Sequence, residues 1–192
     1  MIESKKELKE WLDYERSRYP LHTGFHGLAR YLAHDEITTI WQFQKILRKA
    51  EYHLNTGHKI RYSCYWVVMN YLKQSTGLRI DCNVFDKGLR IMHLGPVLTN
   101  PRAKVGKNAR VHFNTAFVAS GRDSSSPTVG DNVVIGIGAT LVGGVFIADD
   151  IAIGAMSIVN KSFYESGITI AGNPAKKISN NGSKVWNRKE NN

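Results

Sequence analysis

The C-terminal half of the chain carries an apolar residue at every sixth position. The run is unbroken over Val129, Ile135, Leu141, Ile147, Ile153 and Val159. A period of six fits neither the 3.6-residue repeat of a helix nor the two-residue alternation of a strand, so it indicates a repeat architecture. The same spacing continues upstream at Ile91, Val97, Val105, Val111 and Phe117. It is interrupted once, by a two-residue slip, because two extra residues lie between Val97 and Val105.

Three such hexads make one triangular turn of short parallel strands. Stacking the turns buries the recurring apolar residues in a column that no single repeat could bury alone. The pattern therefore predicts a mainly β protein, a parallel β-helix over residues 79–175. Residues 120–127, rich in Gly, Ser, Asp and Pro, break the spacing because Asp123 stands where an apolar residue is expected. We expect this segment to project from the coils as a loop.

Residues 1–78 have a helical pattern instead. Ser4 and Glu7 have the spacing of a capping box in front of an apolar face formed by Leu8, Trp11 and Leu12. The Tyr19-Pro20 step, with Gly24 and Gly27 after it, predicts a turn.

Two further helices are expected before the repeats begin. Asp35 or Thr38 is a suitable N-cap for a helix that ends at residues 55–57. The next helix covers residues 59–75, and Gly77 stops it. We expect a helical region over residues 1–78, the coils over residues 79–175, and a basic polar tail over residues 176–192.

Composition bounds what such a chain does. With 192 residues, 42% of them hydrophobic, it has the size of one domain or of one domain with an extension. Cys64 and Cys82 form neither a CxxC pair nor a disulfide framework, and no leader pattern opens the chain, so we expect a reducing, cytoplasmic setting. The longest apolar stretch, residues 65–69, is far shorter than the roughly 20 residues that span a bilayer. It predicts a buried helix.

The formal net charge is +10. Such a field favours anionic partners, whether a phosphorylated cofactor, an acidic polymer or a lipid surface, so a location near the inner membrane surface is compatible with it. No zinc-finger spacing, RNP-like aromatic string or basic recognition helix accompanies the charge. A nucleic-acid partner is therefore not expected.

Three segments resemble the hexapeptide-repeat acyltransferases, most closely the branch similar to serine acetyltransferases that includes polysaccharide O-acetyltransferases. They are residues 83–93, which end in Gly-Leu-Arg-Ile-Met-His, residues 105–108, and residues 168–175, which contain Ala-Gly-Asn-Pro-Ala. The resemblance implies a left-handed coil and a homotrimer with active sites between neighbouring subunits. It also implies transfer of acetyl from acetyl-CoA to a hydroxyl group, without a metal. The helical extension is shorter than that of serine acetyltransferases, so we expect a single trimer.

Acetyl transfer to an alcohol needs a base that is neutral near pH 7, and imidazole suits that task. His93 follows the Gly-Leu-Arg-Ile-Met run, where the resembled family places its catalytic histidine. One coil plus the two-residue slip separates Ile91 from Val111, so His112 lies on the same face of the following coil as His93. His93 comes two residues after its hexad residue and His112 only one, so the two side chains need not point the same way. His112 is a candidate for binding the acceptor or the thioester, or for a subunit contact. The family also uses an aspartate to orient the histidine. Asp81 is the candidate here, with Asp86 or a backbone carbonyl as rivals.

The acceptor positions depart from the serine-specific pattern. The residue before the histidine is Met92, where serine acetyltransferases carry an aspartate that binds serine. Ser125 and Ser126 stand where those enzymes have an arginine-histidine pair before a proline. Free L-serine is therefore disfavoured as the acceptor, and Arg122 and Asp123 in the loop are candidates for recognising a sugar, although a solvated loop explains them equally well.

The cofactor candidates are small residues at the coil corners and lysines near the C-terminal coil. Gly and Ala let the pantetheine arm lie close to the backbone, although hexads need small residues there merely to turn the corner. The lysines lie where the resembled family places basic groups near the phosphates of CoA, and flexible ammonium groups suit that task as point charges. The candidates are Gly138, Ala139, Gly154, Ala155, Lys161, Lys176 and Lys177.

We therefore expect an acetyl-CoA-dependent O-acetyltransferase whose acceptor is a sugar hydroxyl of a bacterial surface polysaccharide, with His93 as general base. The first alternative is an L-serine O-acetyltransferase of cysteine biosynthesis. The second is a zinc enzyme of the γ-carbonic anhydrase type, which needs three histidines, whereas the coils hold only His93 and His112. The third is a scaffold without catalytic activity.

Overall fold

The computed structural model describes residues 1–187. Four helices come first: α1 (Lys5–Ser17), α2 (Gly24–Leu32), α3 (Glu36–Asn55) and α4 (Lys59–Thr76). Fourteen strands follow: β1 (Leu78–Arg79), β2 (Arg90–Ile91), β3 (Val97–Thr99), β4 (Lys104–Val105), β5 (Arg110–Val111), β6 (Thr115–Val118), β7 (Thr128–Val129), β8 (Val134–Ile135), β9 (Thr140–Val142), β10 (Phe146–Ile147), β11 (Ala152–Ile153), β12 (Ile158–Val159), β13 (Thr169–Gly172) and β14 (Ala175–Ser179). A short helix, α5 (Lys184–Asn187), ends the described chain.

The strands form three sheets, one for each face of a stack of triangular turns. Their orders are β1-β3-β6-β9-β12, β10-β7-β4 and β14-β13-β11-β8-β5-β2. We name the third sheet the C sheet. All of its neighbours are parallel except β13 and β14, which pair antiparallel. Parallel sheets after N-terminal helices agree with the predicted architecture, while the left-handed sense stays a prediction.

The hexad residues form the core of these sheets. Ile135 lies opposite Ile153, one full turn later in the chain, and Ile91 lies opposite Val111, where the two-residue slip adds to the turn. All of the hexad residues are at most 3% exposed. Burying one Val, Ile or Leu side chain stabilises a fold by about 1.5–3 kcal/mol, so the column is a large source of stability. The loop predicted at residues 120–127 is confirmed, since β6 ends at Val118 and β7 begins at Thr128.

One corner of the prism is held by side chains rather than by strands. Asn108, Asn132 and Asp150 each have a φ near +60°, a conformation that Asn and Asp tolerate better than other residues with a Cβ. The Asn108 amide donates to Asn132 Oδ1 at 3.0 Å, and the Asn132 amide donates to Asp150 Oδ1 at 3.1 Å. This ladder runs along the stacking direction and ties three coils together.

The helix caps are as predicted, but one helix was missed. The capping box of α1 is present, Asp35 caps α3, and Gly77 ends α4 with a φ of +76°. The turn predicted at Tyr19-Pro20 lies between α1 and α2, but Gly24 and Gly27, which were assigned to the same turn, both lie in α2. A Cβ at Gly27 would lie only 2.5 Å from the carbonyl oxygen of His22, so this glycine permits a close approach of the backbone rather than a turn.

The prediction that residues 65–69 form a buried helix segment is also wrong. Met69 is buried, but Trp66, Val67 and Val68 are 44–60% exposed on α4. Helix α3 covers one side of α4, and the side with these three residues stays open to solvent in this chain. Within residues 1–187, no helix combines the length and the apolar character that crossing a membrane demands.

A buried ion network joins the helices to the first coil. The Arg48 guanidinium of α3 contacts Glu15 of α1 at 2.7 Å and Glu51 at 2.8 Å, and all three side chains are at most 1% exposed. It also donates to the carbonyl oxygens of Phe85 and Asp86, at 2.8 and 2.9 Å. Burial alone would lower the pKa of Arg48, but the two carboxylates raise it, so the guanidinium stays charged.

Replacing this guanidinium should be costly. We expect Arg48→Met to lower the free energy of unfolding by about 3–5 kcal/mol, because it leaves buried carboxylates without their partner. Arg30→Met is the matched control. Its ion pair with Asp35 is substantially exposed, so the loss should be about 1 kcal/mol or less. Chemical denaturation followed by circular dichroism measures both, and equal losses would contradict the role given to Arg48.

Candidate active site

His93 lies just after β2, where the chain leaves the C sheet at a corner of the coil. Its side chain is 52% exposed, so the ring is open to a substrate rather than sealed in the prism. Nδ1 lies 3.5 Å from Glu36 Oε1, and the same oxygen accepts the backbone N–H of Leu94 at 2.8 Å. Glu36 is the first residue of α3, so the start of that helix fixes a carboxylate beside the imidazole.

His112 lies on the same side of the next coil. Because Ile91 and Val111 are opposite each other in the sheet, the residues that follow them come together. The centres of the His93 and His112 rings are 6.2 Å apart, and the Phe113 ring lies edge-on to His93 at 6.4 Å. Sequence spacing left the relative direction of the two histidines open, and the structure places both rings at one site.

His112 is held as a neutral imidazole. Its Nδ1 is buried and has no hydrogen-bond partner among residues 1–187. Burial lowers the pKa of His112 below the ordinary value of 6.5, and His93 and then Arg110 lower it further. A neutral ring beside the candidate base can donate or accept one hydrogen bond without adding charge to the site.

The aspartate expected to orient His93 is engaged elsewhere. Asp81 accepts a hydrogen bond from Lys73 at 3.0 Å and another from Thr99 at 3.3 Å. Its rival Asp86 accepts the backbone N–H of Lys87 at 2.7 Å. The carboxylate beside His93 belongs to Glu36, which the sequence analysis missed. Its position next to the predicted cap at Asp35 was the available signal, but nothing in the sequence placed that helix end against the coil.

Arg122 and Asp123, the two loop residues proposed to recognise the acceptor, form hydrogen bonds within their own loop. Asp123 accepts hydrogen bonds from Ser125 and from the Ser120 hydroxyl, the latter at 2.8 Å. These bonds from Ser125 and Ser120 lower the pKa of Asp123. Arg122 is exposed, and its backbone N–H donates to Ser120 Oγ at 3.3 Å. The structure therefore shows both residues as parts of a compact loop, without a contact to His93 in the described part of the chain.

The small residues proposed for the cofactor differ in where they lie. Ala139 is completely buried, so its methyl group faces the core and not a cofactor. Ala155 is exposed at a corner. Gly138 lies at a positive φ beside Met156. Gly154 is partly exposed, and a Cβ at this position would lie 2.8 Å from the Cβ of Ala171. Close packing of coils therefore accounts for Gly154 without a cofactor.

The lysine candidates lie at the C-terminal end of the prism. Lys176 and Lys177 are exposed on β14, and Lys177 forms an ion pair with Glu165. Lys161 is exposed, with Nζ 5.5 Å from the centre of the Phe163 ring. The C sheet has five strand spacings between β2 and β14, about 24 Å in all. Only an elongated ligand reaches from His93 to Lys176.

Two other features bear on the kind of site. Among residues 1–187 the structure brings no three His, Cys, Asp or Glu side chains together in a metal-binding arrangement. A cavity of about 380 Å³ lies between the N-terminus and the first coils, lined by residues that include Trp11, Phe85 and Val105 but neither His93 nor His112. His93 instead stands on an open surface of the single chain.

Comparisons of sequence with known proteins agree on one kind of enzyme. No family model matches the chain. A serine acetyltransferase of Helicobacter pylori is 30% identical over 106 residues, which are 54% of this chain and 61% of the relative. One from Mycobacterium tuberculosis is 33% identical over 82 residues, 42% of this chain and 36% of the relative. The chain thus spans less than two thirds of the length of these curated relatives.

Solved structures match over nearly the whole chain. Serine acetyltransferase of Neisseria gonorrhoeae in complex with serine superposes with a TM-score of 0.71 at 20% identity, over 92% of this chain and 71% of that one. The enzyme of Brucella abortus in complex with coenzyme A gives 0.68 at 22% identity, over 91% and 67%. The chain has the fold of these proteins.

The comparisons support the predicted hexapeptide-repeat acyltransferase, but not its polysaccharide branch. The prediction of a surface polysaccharide as acceptor is wrong, because the relatives and the structural neighbours are serine acetyltransferases. The first alternative, acetyl transfer to L-serine, fits these findings better. The expected place near the inner membrane surface has no support in them.

The low pKa of His112 is open to measurement. We expect its ring to titrate below 6.5 in an NMR titration, and to titrate closer to 6.5 in His93→Asn, which removes the neighbouring imidazole. In the unfolded chain His112 has its ordinary pKa, so as the pH falls the unfolded state takes up a proton on this ring before the folded state does. Protonation of His112 therefore lowers the free energy of unfolding as the pH falls through about 6.5. A midpoint above 6.5 in the parent protein would contradict this description of the site.

Proposed function

We propose that this chain is an acetyl-CoA-dependent O-acetyltransferase that acts on L-serine. One observation carries the proposal: an exposed histidine, His93, stands beside the Glu36 carboxylate at a corner of a fold shared with serine acetyltransferases. The donor and the acceptor in this proposal come from the serine acetyltransferases to which the chain is similar. The base comes from the geometry around His93.

In this proposal His93 takes the proton of the acceptor hydroxyl while its oxygen attacks the thioester carbonyl. Neutral imidazole suits this step because its ordinary pKa lies close to physiological pH. Glu36 orients the ring and stabilises the imidazolium that forms, as a carboxylate does in a catalytic triad. A backbone N–H or a loop donor holds the oxyanion of the tetrahedral intermediate. The proton then passes to the departing thiolate of CoA.

Direct transfer is preferred to an acyl-enzyme. The two cysteines are the strongest nucleophiles in the chain, and the structure gives no reason to place either in the reaction. Cys82 is largely buried, and burial raises its pKa to about 12, so it is a thiol at neutral pH. Cys64 is exposed on α4, a helix that packs mainly against α3 and β1 rather than at the corner that holds His93.

A second subunit completes the site in this proposal. The rings of His112 and Phe113 flank His93, yet its own side chain is half exposed and the 380 Å³ cavity lies away from it. Closing a site around the reacting groups expels water and strengthens the electrostatic interactions within it. A homotrimer would supply the missing wall, and CoA would lie along the edge of the coils past Gly138 and the exposed Ala155 toward the C-terminal lysines.

The acceptor pocket of this chain differs from the pattern that the resemblance implies. Met92 has no charge to offer the ammonium group of serine, and Ser125 and Ser126 offer none to its carboxylate. L-serine therefore has fewer ionic partners here, and a high KM for it follows. The proposed reaction is still acetyl transfer to L-serine, but the expected affinity for L-serine is lower.

The first test removes the base. His93→Ala should lower kcat about 10²- to 10⁴-fold, the usual contribution of a general base. His26→Ala, at an exposed histidine of α2, should leave kcat unchanged. Release of CoA from acetyl-CoA with L-serine present measures both variants. Full activity of His93→Ala, or no CoA release by the parent protein with L-serine at any concentration, would overturn the proposal.

The second test restores a charge at the acceptor. Met92→Asp should lower the KM for L-serine roughly tenfold, because a charge-assisted hydrogen bond to the ammonium replaces a thioether. Asparagine has nearly the same shape as aspartate but no charge, so Met92→Asn is the matched control. The KM for acetyl-CoA should stay the same in both. If the Asp and Asn variants have equal KM values for L-serine, Met92 does not face the ammonium group.

A further inference from the structure

The described C-terminal segment lies across the outside of the C sheet. Thr169 of β13 donates a hydrogen bond from its hydroxyl to the carbonyl oxygen of Asn181. The Ser183 N–H then donates to the carbonyl oxygen of Asp150 at 2.8 Å, and Ser183 is completely buried. A Cβ at Gly182 would collide with that same Asp150 carbonyl, so only glycine lets the segment lie this close. Its path is therefore fixed by backbone contacts.

This path carries one aromatic ring to the candidate active site. The segment runs from Asn181, beside β13, past Asp150, just before β11, and the Trp186 ring reaches the residue after β5. In the C sheet β13 and β5 are three strand spacings apart, about 14 Å. The Trp186 indole then meets the His112 ring at 6.4 Å, with the planes tilted by 68° in an edge-on arrangement. Helix α5 begins at Lys184, whose ammonium lies 3.9 Å from the Asp150 carboxylate.

Three rings are thus in successive contact: His93, His112 and Trp186. The distances between neighbouring centres are 6.2 and 6.4 Å, within the range of aromatic ring contacts. His112 Nδ1 is buried without a hydrogen-bond partner in the described residues, so that nitrogen does not set the orientation of the imidazole. In the described part of the chain the His93 and Trp186 rings pack on this imidazole and limit how it can turn.

We infer that Trp186 is a positioning residue that fixes the His112 ring and forms a wall of the acceptor site beside His93. The inference rests on the proposed function for the identity of the acceptor, and on the ring contacts alone for the role of Trp186. It gives the described C-terminal segment a part in recognising the acceptor, at a position that the hexad pattern does not include.

The charges around His112 allow a specific readout. The ionisable groups that act on it are His93, from the turn after β2, and Arg110, on its own strand. Glu36 of α3 faces His93, and Lys184 of α5 is directed to Asp150. Burial is the first cause of the low His112 pKa. The uncharged Trp186 indole packs against this ring, so in this inference it is part of that burial. Removing the indole should therefore raise that pKa toward its ordinary value.

The test compares three variants of the full chain. Trp186→Ala should shift the NMR titration of His112 upward and raise the KM for L-serine about three- to tenfold, as expected for loss of one ring contact. The KM for acetyl-CoA should not change. Trp186→Phe keeps an aromatic edge and should restore most of both values. Val185→Ala removes a neighbouring exposed side chain and should match the parent.

The outcomes separate this inference from the proposed function. If Trp186→Ala behaves like Val185→Ala in both the titration and the KM, the inference is overturned. If the parent protein does not acetylate L-serine, the proposed function fails, but the His112 titration still decides whether Trp186 positions the imidazole. A Trp186→Phe protein as impaired as Trp186→Ala would also count against a ring contact.

Discussion

The buried guanidinium of Arg48 is the interaction on which the geometry of the site depends. It lies on α3, bonds to carboxylates of α1 and α3, and donates to two carbonyl oxygens of the first coil. Charges taken out of water are costly unless every donor finds an acceptor, so the network permits very few arrangements of these elements. The same helix begins at Glu36. Fixing α3 against the coil therefore also fixes the carboxylate beside His93.

The hexad column gives the other half of the arrangement. Because each turn of the prism consists of three hexads, chain positions far apart in sequence come to lie one strand spacing apart. The two-residue slip keeps Ile91 opposite Val111, so the histidines that follow them meet at one corner. The chemistry proposed here thus follows from two constraints, one apolar and periodic, the other ionic and local.

These two constraints also explain what the sequence could and could not predict. The stacked strands and the projecting loop follow from periodicity, and the capping box follows from a local motif. The base candidate His93 follows from the resemblance of its segment to the acyltransferase family. Glu36 and Trp186 were missed because their contacts with the two histidines join segments that are distant in sequence and share no repeat. The exposure of α4 was missed for a related reason: an apolar stretch of a helix does not reveal how many neighbours will cover it.

The acceptor was the least predictable feature. Met92 and the two serines before Pro127 remove charges from the expected amino-acid site, and that loss favoured a sugar in the sequence analysis. The relatives and structural neighbours instead favour serine. A site that lacks ionic partners must gain selectivity from shape and packing, and the series of rings ending at Trp186 is the feature of the described chain that offers both.

The central claim is that donor and acceptor meet at His93. A crystal structure of the protein with CoA and L-serine tests it most directly. The account predicts the serine hydroxyl within hydrogen-bond distance of the imidazole, about 3 Å, with the CoA thiol beside it and a neighbouring subunit closing the site. CoA bound away from this corner, with the ring of His93 facing bulk water in the assembled protein, would contradict it.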